Sequence, residues 1–281
     1  MKTALVLEGG AMRGMYTAGV LDVFMEQGIT FDGVIGVSAG ALFGVNLLSG
    51  QKGRAVRYNK KFNSDPDYMG VKSLLTTGNI VNTEFAYKRV PEELDPFDGE
   101  AYKKSGIPFY AVISNIRTGK AEYVLVEDVF EQMDVLRASG SMPFVSKPVK
   151  IDGEQYLDGA VIDSIPFEKM LELGYDQLVV VLTKCDGYIK KPIPKLLADG
   201  FYKRKYPKFA QAVANRHIMY NGQMIRLKTL EQEGKVVVLR PTRQVDIGKI
   251  EKNPEKIQEM YDLGVEDAKR ALEELRLFQN I

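Results

Sequence analysis

Ser38 stands between two glycines, in Gly36-Val37-Ser38-Ala39-Gly40, where one apolar run hands over to a second, helix-like one. A serine hydroxyl becomes a nucleophile when it projects from a strained strand-to-helix turn. Small neighbours let the backbone close there, and the amides of the following helix lie near the charge that develops. Residues 33–50 offer a strand-like run, such a turn and a helix-like run. Read as a plain connection, the same glycines and serine would serve only as turn and cap. A nucleophilic serine also needs a base. The usual one is histidine, and the chain has a single histidine, His217, far along the sequence in a basic and aromatic stretch.

A second group, Glu8-Gly9-Gly10-Ala11-Met12-Arg13-Gly14, follows the first apolar run. Adjacent glycines there let N–H groups point over a sheet edge, which suits an anion. The loop lacks the Gly-x-Gly-x-x-Gly fingerprint and the Lys-Ser/Thr ending of a Walker loop, so an oxyanion hole is a better reading than a nucleotide phosphate site. Arg13 fits a role on that loop or on a phosphate-bearing substrate, and equally a place on a helix surface. For the base, Asp152, Asp158 and Asp163 compete, and position alone does not separate them. Cys185 with His217 is a poor alternative pair, since no elbow or oxyanion loop adjoins Cys185. His217 itself falls in a helical stretch instead of a loop after a strand. One cysteine forms no internal disulfide, and one cysteine with one histidine makes no metal cluster of the usual spacing.

The elements that must hold these residues are legible in the hydrophobic pattern. The runs 3–7, 33–37, 109–114 and 177–183 are short, rich in β-branched residues and bounded by Gly, Pro or Asp, as strands covered on both faces are. Met15, Val20, Val23 and Phe24, closed by Gly28, predict a helix between the first two. Strand, helix, strand, helix argues an α/β domain with a mainly parallel sheet. Two expected hairpins, turning at Thr118-Gly119 and Asp152-Gly153, make that sheet mixed. A further strand is expected at 235–241. One long terminal helix is expected after it, capped by Asn253 with Pro254 at its first position and apolar residues from Ile257 to Phe278. This gives an α/β unit over 1–186 and a mainly helical extension over 187–281 packed upon it.

Taken together the motifs resemble the patatin-like phospholipase family, in which a glycine-rich loop, a Gly-x-Ser-x-Gly elbow and a later Asp-Gly-Gly/Ala occur in that order. Here the matching residues are Gly9, Gly10, Ala11, Arg13 and Gly14, then Gly36, Ser38 and Gly40, then Asp158, Gly159 and Ala160. Glu8 and Ala11 stand where Asp and Gly are more usual. The resemblance covers most of residues 4–183 and implies a three-layer α/β/α patatin-like fold. It also implies a Ser38–Asp158 dyad that needs no histidine, with an oxyanion hole formed by the loop and Ala39. Asp158 is thereby preferred over Asp152 and Asp163, which read as turn and surface residues. An exposed aspartate, at about 3.9, is a weak base for an alcohol, so partial burial of Asp158 or activation of the serine by helix amides is expected. The implied activity is hydrolysis of lipid esters, of phospholipase A or lysophospholipase type, without metal or organic cofactor. Acyl transfer to a lipid acceptor, or a catalytically silent lipid-binding protein, are the alternatives.

Charge and composition bound the partners. Thirty-eight Lys and Arg against 37 Asp and Glu give a net charge of +1, so global charge makes no case for nucleic acid. The lone cysteine suits a reducing, cytoplasmic setting, and the N-terminal run reads as a strand instead of a signal segment. No window has the roughly 18 uninterrupted apolar residues of a membrane span. Between residues 184 and 228, however, 11 basic side chains face two acidic ones. Tyr188, Phe201, Tyr202, Tyr206, Phe209 and Tyr220 interleave with them. That stretch is either a solvated face or a peripheral contact with anionic membrane. Oligomeric state is not encoded in any of these features.

Overall fold

The computed structural model describes residues 1–279. Eight strands form one sheet: β1 (Thr3–Leu7), β2 (Gly33–Val37), β3 (Phe109–Asn115), β4 (Lys120–Leu125), β5 (Val149–Ile151), β6 (Glu154–Asp158), β7 (Gln177–Val181) and β8 (Val236–Leu239). Their order is β5-β6-β3-β2-β1-β7-β8, with β4 also on β3. β2, β1, β7 and β8 run parallel to their neighbours, while β4, β5 and β6 pair antiparallel. The sheet is therefore mixed, and the two antiparallel hairpins turn where the glycines at 119 and 153 take φ of 67° and 83°.

Continuous apolar runs follow from burial on both faces. Alternate residues of a strand point to opposite sides, so Leu5 and Leu7 enter one core while Ala4 and Val6 enter the other. Helix α1 (Met15–Gln27), α2 (Ala39–Leu48) and the helix Pro254–Arg270 cover the first side through Phe24, Phe43 and Ile257. Phe167, with Tyr220 and Leu227 of the long helix Pro207–Gln232, covers the second. The result is three layers, helix, sheet and helix.

The C-terminal part differs from expectation in detail. Asn253 does cap, its Oδ1 accepting from the N–H groups of Glu255 at 2.7 Å and Lys256 at 3.2 Å. The single long helix is instead two, Pro254–Arg270 and Leu272–Gln279. At the break the Ala271 N–H is shared between the carbonyls of Asp267 and Ala268, both at 3.1 Å, a tightened last turn that a hydrophobic pattern cannot show because the apolar phase continues to buried Leu275. β8 does not sit apart. It extends the sheet parallel to β7, Leu178 opposite Val236 and Val181 opposite Leu239. Asn280 and Ile281, the last two positions of the expected extension, lie outside the described residues.

Candidate active site

Register brings Ser38 and Asp158 together. β4 occupies one edge of β3 from Tyr110 to Asn115, which leaves the other edge for both β2 and β6. β2 runs up that edge and ends with Val37 opposite Val112. β6 comes down the same edge and ends with Asp158 opposite Ile113. The two strands therefore stop head to head at consecutive positions of β3. Across the gap the Ser38 hydroxyl donates to Asp158 Oδ2 at 2.8 Å, joining residues 120 apart in sequence.

The turn at Ser38 is strained, with φ 55° and ψ −124°, a region that costs a non-glycine residue about 1–3 kcal/mol. Neighbouring contacts hold it. The Ser38 N–H donates to Ser139 Oγ at 2.9 Å, and that hydroxyl donates to the Val112 carbonyl at 2.7 Å. The Asp158 N–H donates to the Ser141 carbonyl at 2.8 Å, so the segment 139–141 braces both halves of the pair. A Cβ on Gly36 would lie 2.6 Å from the Gly40 carbonyl oxygen, and one on Gly40 would lie 2.4 Å from that of Leu7. Close backbone approach, not chain freedom, requires glycine on both sides of the elbow.

Asp158 is 4% exposed. Burial raises its carboxyl above the ordinary aspartate range, opposed by the positive charge of Arg216 and by hydrogen bonds from Ser38 and from the Ala160 N–H, the latter at 2.9 Å. A buried, partly satisfied carboxylate is more basic than a solvated one. The other candidates have different surroundings. Asp152 is an exposed turn residue with φ 48°. Asp163 was expected at the surface and is instead buried. Its carboxylate accepts from Tyr123 at 2.9 Å and from Gln223 at 2.6 Å, partners supplied by distant elements. His217 lines the same cleft as Ser38, but its Nδ1 donates to the Ala214 carbonyl within its own helix at 3.0 Å. Burial pushes the Cys185 thiol up, away from the thiolate.

The loop after β1 lies beside the elbow. Ala11 takes φ 49° and begins a short helical turn, Ala11–Gly14, that leads into α1. Among the described residues no hydrogen-bond acceptor claims the N–H of Gly10 or Ala11. Gly9, Gly10, Ala11 and Arg13 line the cleft that holds Ser38 and Asp158. The loop is fixed by Glu8, which is 1% exposed. Its carboxylate accepts from Thr183 Oγ1 and from the Tyr220 hydroxyl, both at 3.0 Å, with Lys184 Nζ at 3.8 Å. Tyr220 belongs to the long helix Pro207–Gln232, so Glu8 ties the loop to β7's end and to the C-terminal part.

Ser38 sits where two spaces meet. One is an apolar cavity of about 140 Å³, walled by Met12, Leu42, Phe43, Tyr68, Met69 and Leu136 among others. The other is a wider cleft of about 560 Å³ whose walls are also largely apolar, with Phe144, Ile189 and Val213 among them, but which carries Arg13, Lys184, Lys190, Arg216 and Lys249. A bond cleaved at Ser38 therefore has an oily side and a cationic side.

A family model, described as patatin-like phospholipase, matches residues 5–171. The chain belongs to the patatin-like phospholipase family. A second model, a domain of unknown function, DUF6363, matches residues 206–280. Similar proteins include an uncharacterized protein, YjjU, of Escherichia coli, 30% identical over 65% of this chain and 52% of that one. An uncharacterized NTE family protein of Mycobacterium tuberculosis is 25% identical over 64% and 48%. Lysophospholipase nte1 of Emericella nidulans is 29% identical over 63% of this chain and 12% of the fungal one. The chain thus spans about half the length of the bacterial relatives. A solved structure, VipD from Legionella pneumophila, is 13% identical with a TM-score of 0.47, over 97% of this chain and 67% of that one.

Within this patatin-like chain, sequence reasoning missed three kinds of residue. Ser139 reads, with Ser141, as a reserve nucleophile and not as a brace of the elbow. Glu8 reads as a motif variant, although an acid at the end of a strand buried on both faces is itself a signal of a buried partner. Lys190, Arg216 and Lys249 lie beyond the motifs, and nothing in the sequence aims them at Ser38. The basic stretch also needs correction. Lys184, Lys190 and Arg216 line the cleft and are only partly exposed, and Tyr202, Phe209 and Tyr220 are buried core residues, so these residues do not form an outer face.

Proposed function

We propose that this chain hydrolyses lipid esters as a serine acyl hydrolase of phospholipase A or lysophospholipase type, with Ser38 as nucleophile and Asp158 as its base. The observation that carries this reading is the 2.8 Å hydrogen bond from the Ser38 hydroxyl to buried Asp158. The acyl chain enters the apolar cavity and the alcohol portion lies toward the cleft. Asp158 takes the Ser38 proton as the hydroxyl oxygen attacks the ester carbonyl. The N–H groups of Gly10, Ala11 and Ala39 receive the oxyanion, with the N-terminal end of α2 adding its dipole. Collapse of the tetrahedral intermediate expels the alcohol, which takes the proton from Asp158. Water then attacks the acyl-enzyme while Asp158 takes its proton, and Ser38 regains a hydrogen as the fatty acid leaves. Residues 1–186 carry these steps, and the described part of the extension, residues 187–279, completes the sheet through β8 and walls the cleft.

The test is covalent labelling with a fluorophosphonate together with turnover of a lysophospholipid and acylglycerol panel. Ser38→Ala is expected to lose both labelling and turnover while keeping its circular dichroism. Continued labelling of that variant would place the nucleophile elsewhere.

A further inference from the structure

The cleft beside Ser38 is lined by Arg13 from the loop after β1, Lys184, Lys190 and Lys191 from the chain after β7, Arg216 from the long helix and Lys249 from the segment before Asn253. Asp158 is the one carboxylate lining it, and its two oxygens are already engaged by Ser38 and Ala160. Glu8 sits behind the wall and accounts for Lys184 alone, at 3.8 Å. Among the described residues, no carboxylate lies within ion-pair distance of Arg13, Lys190, Arg216 or Lys249.

Lys190 is held in place, and Lys190 and Arg216 are partly desolvated. Asn221 grips the backbone of Lys190 from both sides, its Oδ1 accepting from the Lys190 N–H at 2.9 Å and its Nδ2 donating to the carbonyl at 3.1 Å. Lys190 Nζ stands 4.4 Å over the Tyr220 ring. Arg216 Nε is buried without a hydrogen-bond partner. Burial, then the charges of Arg216 and Lys184, bring the Lys190 ammonium down to about 7. Burial with Arg216 and Arg13 lowers Lys249 as well. Bunched, partly buried like charges raise one another's energy, and a structural role would be served better by interleaved carboxylates. An anion arriving among them relieves that repulsion and satisfies free donors at once.

Resting on the hydrolase reading above, we propose that Arg13, Lys190, Arg216 and Lys249 form an anion subsite that selects lipid esters whose alcohol portion carries an uncompensated phosphate. Lysophosphatidate and lysophosphatidylglycerol have that chemistry. A zwitterionic head group brings an ammonium that finds no free carboxylate here. Tyr188, the exposed aromatic that could receive it, already has Lys184 at 5.7 Å and Lys190 at 6.0 Å from its ring. Lys190, Arg216 and Lys249 lie outside residues 5–171, the part matched by the patatin-like model. Three of the four subsite cations thus come from the C-terminal part of this chain and the fourth, Arg13, from the loop after β1.

Two measurements on the full chain separate this subsite from the hydrolase reading. In the first, kcat/KM is measured on lysophosphatidate, lysophosphatidylcholine and monoacylglycerol with one acyl chain, for wild type, Lys190→Gln, Arg216→Gln and Lys249→Gln. The anionic ester is expected to be preferred at least tenfold. Each substitution should lower the anionic-to-neutral ratio, with Arg216→Gln lowering it tenfold or more. In the second, calorimetry on Ser38→Ala with sn-glycerol 3-phosphate, inorganic phosphate and glycerol is expected to show glycerol 3-phosphate binding that Arg216→Gln abolishes, and no glycerol binding. Inorganic phosphate that binds as tightly as glycerol 3-phosphate, in a chain whose turnover shows no charge preference, would reduce the subsite to a general anion site and overturn the proposal. Turnover of all three esters at similar rates, or equal losses on all three in the variants, would also overturn it while leaving the hydrolase reading intact. Binding of glycerol 3-phosphate without turnover of any ester would do the reverse.

Discussion

Asp158 is pulled in two directions, and burial wins over the Arg216 charge and the two hydrogen bonds, so its carboxyl stays protonated to higher pH than a solvated aspartate at about 3.9. On the proposed mechanism the unprotonated form is the base, so kcat/KM is expected to fall as pH drops, with the acidic limb above the ordinary aspartate range. The same shift acts on stability with the opposite sense. The folded chain binds this proton more tightly than the unfolded chain, so its contribution to stability declines as pH rises from the unfolded to the folded value and remains lower above it. Asp158→Asn is therefore expected to lose about 10³-fold in turnover yet melt at or above the wild-type temperature at pH 8, the difference narrowing toward pH 4. A variant that melts well below wild type at pH 8 would mean that the charged form is stabilised in place. His217→Ala is expected to keep more than half of the turnover, because the His217 ring is bonded to its own helix, and a folded but dead variant would require a triad. The elbow around Ser38 was legible because small residues must flank it, whereas Asp158 was set apart from Asp152 and Asp163 only by the family resemblance. The partners of Glu8 and Ser139 were not legible, because they lie 175 and 101 residues away, although the position of Glu8 at the end of a buried strand signals that it has one.

Element boundaries were legible where two-sided burial dictates composition, as in β1, β2, β3 and β7, and where a glycine must turn the chain, as Gly28 does after α1 with φ 65°. Packing between helices was not legible. The helix Pro254–Arg270 crosses α1 with backbones nearly touching: a Cβ on Gly264 would lie 2.1 Å from the Tyr16 carbonyl oxygen, and one on Gly19 would lie 2.2 Å from that of Tyr261. A hydrophobic pattern marks Gly19 and Gly264 only as weak helix formers. Their reciprocal placement appears once the helices are docked. Because backbone cannot rotate out of the way as a side chain can, Gly264→Ala is expected to destabilise by about 1–3 kcal/mol or more, seen as a lower midpoint in urea at unchanged slope. Since α1 follows directly from the loop Gly9–Gly14, the displaced helix should also lower kcat. An unchanged midpoint would mean that the helices separate without loss.

At the scale of the molecule the question is how a chain of net charge +1 brings its cleft to a lipid, given that no helix among the described residues is long and apolar enough to cross a membrane. The +9 balance between residues 184 and 228 (11 basic, two acidic) divides into two groups once folded. Lys184, Lys190, Lys191 and Arg216 line the cleft, while Lys195, Lys203, Arg204, Lys205, Lys208, Arg226 and Lys228 remain exposed outside its lining. Beside the second group stand Ile189, Leu196 and Phe201 at 72%, 85% and 60% exposure. Phe201 packs on Phe144 at 5.1 Å, and Phe144 and Ile189 are both at the cleft wall. Apolar side chains bare to water at the rim of a cleft, with lysines around them, suit the boundary of an anionic bilayer. Each basic residue near such a surface adds roughly 1 kcal/mol, less as salt shortens the screening length. Cosedimentation with vesicles is therefore expected to rise with anionic lipid and weaken with salt. It should fall severalfold in the triple variant Lys203→Gln, Arg204→Gln, Lys205→Gln, and again in Leu196→Ser with Phe201→Ser. Equal binding to neutral and anionic vesicles, or binding untouched by both variants, would make this rim an ordinary solvated face, and the substrate would then have to reach Ser38 as a monomer from solution.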